Sequence, residues 1–227
     1  MTRSRSVLNQ LNTYLLEPVN AITHGLGAVS SVVGMIVLIF LSWGQPLYVV
    51  SFAVYGVSSV LLYLASSLYH GLKVGPQRRR MLLRLDHVGI YALIAGSYTP
   101  LALLVLKSHS PLLGWAFFWL VWGLATLGIA FKLWWLDAPV WLSTGFYLAL
   151  GWLALGVMPI LFQTLSTGGL LLLFTGGLLY SVGAVVFAVE RPDFYPGVFG
   201  HHELWHLFVL AGGASHYLLL LLYLTPK

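Results

Sequence analysis

Long apolar runs separated by short polar connections make up most of this chain. Seven stretches, Asn20–Phe40, Tyr48–His70, Asp86–Leu106, Leu112–Phe131, Val140–Leu161, Gly169–Val189 and His202–Leu224, are the candidates for membrane helices. Each is close to the about 20 apolar residues that a helix needs to cross a hydrocarbon core of ~30 Å. The breaks between them carry helix-stopping residues: Gly44 and Pro46, Gly75 and Pro76, Pro111, Pro139, Gly168 and Gly169, and Pro192 to Gly197. The pattern predicts an all-α integral membrane protein, a seven-transmembrane helix bundle. Residues 1–19 are predicted to form a polar N-terminal segment and residues 20–227 a single membrane domain.

Composition agrees. Of 227 residues, 59% are hydrophobic and 7% are charged, whereas soluble domains carry roughly 25% charged residues. With no cysteine, thiolate zinc sites, iron–sulfur clusters and thiol catalysis are excluded. The first residues lack the apolar core of a cleaved signal peptide, so the first helix is expected to be retained.

The net charge of +5 reflects topology and not nucleic-acid binding, because the basic residues are unevenly distributed between alternate connections. Arg3, Arg5, Lys73, Arg78, Arg79, Arg80, Arg84, Lys132 and Arg191 fall on one side, nine in all, against Lys107 and Lys227 on the other. This predicts a cytoplasmic N-terminus and an outside C-terminus. Trp43, Tyr48, Trp115, Trp134, Trp135 and Trp141 stand near predicted helix ends, as interfacial anchors do. The spacings Gly27/Ser31, Ser30/Gly34 and Ala92/Gly96 suit close helix contact. No internal repeat supports an inverted-repeat transporter.

Ionisable residues inside such spans are costly and therefore informative. With this topology His70 ends the second helix, Asp86 opens the third, and His202 and His206 open the seventh, all at one depth near the cytoplasmic side. His202 and His206 are spaced i, i+4 and share a helix face. Together with His70 they make three imidazoles, a catalytic-type zinc set with one position left for water. Asp86 is the carboxylate placed to orient that water, and Ser66, four residues before His70, is placed to hydrogen-bond Asp86 or the water. His216 lies about 15 Å beyond His206 along the helix and is read as an interhelical hydrogen-bonder. His87 points about 100° away from Asp86, toward a neighbouring helix or the headgroups. His24 has the right depth but no partner in its own helix, and His201 falls in a connection. The string from His202 to His206 also fits H-E-x-x-H, in which the glutamate is a metalloprotease base. Against that reading, the third ligand must come from upstream; Glu203 is instead expected near the headgroups, paired with an arginine such as Arg84.

These motifs resemble the hemolysin III family, the bacterial branch of the progestin and adipoQ receptor (PAQR) group, which is grouped with the alkaline ceramidases. The resemblance rests on Glu17-Pro18-Val19-Asn20 through His24-Gly25, Ala65-Ser66-Ser67-Leu68-Tyr69-His70, Asp86-His87 through Ala95-Gly96-Ser97-Tyr98-Thr99-Pro100, and Trp205-His206. It implies zinc on His70, His202 and His206, supporting roles for Asp86 and Ser66, and residence in a bacterial inner membrane. Glu203 is not part of the shared motif, and the short N-terminus gives no ground for carrying over hormone binding.

Three functions compete at this point. The first is zinc-dependent hydrolysis of a ceramide-like or other lipid amide, with Asp86 as proton acceptor and Ser66 at the developing oxyanion. The second is a non-catalytic lipid sensor or membrane-homeostasis factor in which zinc staples helices. The third, taken from the family's name, is a pore-forming cytolysin; no helix carries the continuous polar stripe a conduit needs. A retinal protein is excluded because the seventh helix has no lysine.

Overall fold

The computed structural model describes residue 11 and residues 13–226. Seven helices long and apolar enough to cross a membrane are found among them: α1 (Pro18–Leu41), α2 (Pro46–Gly71), α3 (Pro76–His109), α4 (Pro111–Trp134), α5 (Val140–Thr164), α6 (Thr167–Val189) and α7 (His201–Leu224). The protein is a multi-pass membrane bundle. Arg3, Arg5 and Lys227, which entered the charge count, lie outside the described residues.

Local sequence explains where the helices start. Pro18, Pro46, Pro76 and Pro111 occupy first-turn positions, where a missing N–H leaves nothing unsatisfied. The Ser110 and Ser166 hydroxyls accept the N–H of Leu113 (3.4 Å) and Gly169 (3.3 Å), caps that contribute about 1 kcal/mol each. The third helix begins at Pro76, ten residues before the predicted Asp86. Apolarity marks only the part of a helix that lies in hydrocarbon, and the segment with Arg78, Arg79, Arg80 and Arg84 continues the same helix into the headgroup region.

In hydrocarbon, helices gain little from burying apolar surface, so the bundle depends on close packing and internal polar satisfaction. α3 is the central helix: 67% of its most apolar window is buried, against 17–44% for the others. One face of α1, with Leu26, Val29, Val33, Ile36 and Phe40, is exposed at helical spacing and turns toward lipid. Its opposite face packs tightly. A β-carbon on Gly27 would come within 2.6 Å of Leu210, and one on Gly34 within 2.8 Å of Tyr217, so both glycines let α1 approach α7.

Three of the described helices deviate from α geometry; in α7 the last turn, Leu220–Leu224, takes a π form. α3 takes a π form over Leu101–Leu106, directly after Pro100, and α5 tightens into a 3₁₀ turn over Leu153–Val157. The backbone groups released in α5 are satisfied from α3, where the Tyr98 hydroxyl donates to the Gly151 carbonyl and accepts the Ala154 N–H at 3.0 Å. α5 can break at membrane depth because a neighbouring helix supplies the missing partner.

Candidate metal centre

The start of α1 is pinned to the end of α2. The Leu16 and Glu17 N–H groups donate to the Gly71 and His70 carbonyls (3.2 and 2.9 Å), and the Ser67 hydroxyl donates to the Ala21 carbonyl (2.8 Å). This brings Glu17 against His70, whose Nδ1 lies 2.6 Å from Glu17 Oε2. The hydrogen bond from His70 holds the Glu17 carboxyl at about 2, below the ordinary carboxylate range, although partial burial pushes the other way. An ionised carboxylate only accepts, so Nδ1 carries the ring proton and Nε2 is left with a free lone pair. Glu17 also receives hydrogen bonds from Asn20 Nδ2 (3.1 Å) and Arg79 (3.4 Å).

α7 brings the other imidazoles. His70, His202 and His206 form a near-equilateral set of rings, with centroids 4.8–5.0 Å apart. Each offers a ligand atom within 4.8 Å of the other two, so the three could hold one metal ion. His70 and His206 are buried. The donor set fits such an ion on two further counts. A carboxylate behind one imidazole, as Glu17 stands behind His70, is the usual support of a metal-bound histidine. In addition, His206 Nδ1 is buried with no protein partner, which is unusual for a polar nitrogen.

Asp86 and Ser66 line a cavity together with His202 and His206, and the Ser66 side chain faces the Asp86 carboxyl. The cavity holds about 380 Å³ and continues through the bundle to Leu219 and Leu220 near the far end of α7. At 1.5 Å per helical residue it spans roughly 25 Å along that helix.

The remaining ionisable residues divide. His216 is half-buried against α6, its Nε2–H donating to the Leu173 carbonyl at 3.4 Å, the interhelical role expected of it. His87 donates from Nδ1 to the Leu83 carbonyl (2.8 Å) but lines the same cavity as Asp86, not a helix interface or the headgroups. Glu203 does not pair with Arg84. One oxygen accepts the Gly200 N–H (2.8 Å), capping α7, and the other accepts from Asn20 (2.9 Å), so the carboxylate is occupied outside the histidine triangle and is not set as a protease base. His24 stacks on His206 with centroids 3.8 Å apart, its two ring nitrogens buried and unpartnered. Glu17 and Asn20, whose side chains join α1 to both histidine-bearing helices, carried no site assignment in the reading of the residues. Their only sequence signal was their place in the Glu17-Pro18-Val19-Asn20 string.

Comparison with known proteins places this arrangement. Residues 12–217 match the family described as Haemolysin-III related. The chain belongs to that family. It is 42% identical over 212 residues to "Hemolysin-3" of Bacillus cereus, covering 92% of each chain. It is 40% identical over 209 residues to "Hemolysin-3 homolog" of Bacillus subtilis, covering 91% of this chain and 93% of that one. More distantly, it is 29% identical over 207 residues to the human "Monocyte to macrophage differentiation factor", covering 87% and 80%. The resemblance to hemolysin III read from the motifs is therefore correct, over residues 12–217 of the chain.

Proposed function

We propose that this protein is a zinc-dependent intramembrane hydrolase of a lipid amide, acting in membrane lipid homeostasis, with His70, His202 and His206 holding the ion near the cytoplasmic face. The observation that carries this reading is the shared wall of one cavity: Asp86 and Ser66 sit beside His202 and His206 at the polar end of a space otherwise lined largely by apolar side chains. Bound zinc would lower the pKa of a water toward ~7 and polarise the amide carbonyl. Asp86 would take the proton of the attacking water and return it to the leaving amine as the C–N bond breaks. Ser66 would donate a hydrogen bond to the oxygen on which charge develops. Glu17 would hold His70 in one tautomer, and the apolar walls would hold the acyl chain.

A structural role for zinc has an observation of its own. Asn20 links Glu17 and Glu203, and His24 stacks on His206, so α1, α2 and α7 are knit around the centre whether or not it turns over.

Zinc-loaded protein in lipid, offered a panel of N-acyl lipids, is expected to release fatty acid, and Asp86→Asn to abolish release while keeping its zinc. Zinc-occupied protein inert across the panel overturns the enzymatic reading in favour of the staple.

A further inference from the structure

The cavity has a second polar patch that the proposed hydrolysis does not use. Lys132, two residues before the end of α4, is buried at 2% exposure, and its Nζ donates to the Leu136 carbonyl at 3.2 Å. An ammonium carries three donors, so one carbonyl leaves two unmet. Among the described residues, no carboxylate lies within ion-pair distance of it. The nearby Asp137 instead binds Arg80 at 2.7 Å. A cation buried in a membrane protein without a counter-charge is costly and usually marks a ligand path.

Two hydroxyls of α5 line the same cavity. They belong to Ser143 and Tyr147, and both hydroxyl oxygens are buried with no hydrogen-bond partner. Ser143 is 5% exposed. A lysine near a helix end can serve as a C-terminal cap, but that role needs one donor and leaves the two hydroxyls unexplained. Among the described residues, Asp86 and Lys132 are the only Asp, Glu, Lys or Arg side chains lining the cavity, one on α3 and the other on α4.

We propose that Lys132, Ser143 and Tyr147 form an anion subsite, holding the carboxylate or phosphate of a lipid whose hydrocarbon fills the apolar length of the cavity. The proposal rests on reading the cavity as a lipid site but needs neither a metal nor turnover, and it narrows the ligand to an amphiphile with an anionic oxygen group.

The test is equilibrium binding to the full chain in detergent, with metal chelated so that nothing is hydrolysed. The probes are a fluorescent long-chain fatty acid and, with the same chain, the fatty alcohol and the alkyl monophosphate. The wild type is expected to prefer a charged probe over the alcohol by at least about tenfold, a difference of 1.4 kcal/mol. Preference for the carboxylate names a fatty acid as the source, and preference for the phosphate names a phosphomonoester lipid. Lys132→Met should abolish the preference, Lys132→Arg restore most of it, and Ser143→Ala with Tyr147→Phe reduce it several-fold with the lysine in place. Equal affinity for all three probes in the wild type overturns the subsite, as does a preference that survives Lys132→Met. If Lys132→Met does not fold, the hydroxyl variants decide: an undiminished preference in the double variant overturns it. Charge preference in this test, with no fatty-acid release by the zinc-loaded protein in the separate hydrolysis assay, would remove the enzymatic reading and leave the subsite standing; release by the zinc-loaded protein without charge preference here would do the reverse.

Discussion

Glu17 and His70 are 53 residues apart in the chain, yet their side chains meet at 2.6 Å. The contact fixes which imidazole nitrogen faces the histidine triangle. Glu17→Gln keeps the shape and removes the charge, so His70 loses its preferred tautomer. Metal affinity is expected to fall 10–100-fold, the usual range for loss of such a support, with helix content unchanged. Chelator-competition titration with zinc reads this directly; an unaltered affinity would show that Glu17 serves only to join α1 and α2.

The triangle itself sets stoichiometry. His70→Ala, His202→Ala and His206→Ala should each lower bound zinc from about one per chain toward zero in elemental analysis, because two imidazoles leave a tetrahedral ion short of protein ligands. His24→Phe preserves a ring stacked on His206 and should retain the metal. Loss of zinc in that variant would make His24 a ligand.

Asp86→Asn separates binding from chemistry. Removing a positioned proton acceptor costs about 10²–10⁴-fold in rate, so fatty-acid release should fall by that factor while zinc content and melting temperature stay near the wild type. Ser66→Ala should cost less, since it removes one hydrogen-bond donor and no proton carrier.

Packing predictions are independent of function. Gly27→Ala places a methyl 2.6 Å from Leu210 and 3.1 Å from Tyr63, and overpacking of this kind costs about 1–3 kcal/mol. Gly123→Ala on α4 meets nothing within 4 Å and should be neutral or gain up to about 1 kcal/mol from helix propensity. Thermal melting in detergent should order the three proteins Gly27→Ala, wild type, Gly123→Ala.

What could be read in advance follows from physical range. The seven spans were legible because hydrocarbon thickness imposes a length on every helix, and the His70/His202/His206 meeting followed from placing each histidine by depth. Glu203 was misplaced because charge near a helix end suggested Arg84, whereas the carboxylate is claimed by the Gly200 N–H and by Asn20, 183 residues away. The start of α3 was set too late because apolarity stops at the headgroups while backbone hydrogen bonding does not. His87 was sent to the wrong surface because an angle measured on one helix says nothing of how wide the neighbouring cavity is. Lys132 entered only as a topological charge; that it lines one cavity with Ser143 and Tyr147 depends on how α4 and α5 pack, which no local pattern encodes.

The breadth of the internal space also has a directional consequence. Its formally charged side chains, Asp86 and Lys132, lie at the histidine end, while Leu101, Leu219 and Leu220 line the other. A single-chain amphiphile can therefore settle in one polarity only, head toward the imidazoles and methyl terminus toward the leucines. The length of that apolar stretch would then set which tails fit with the head at the charged end.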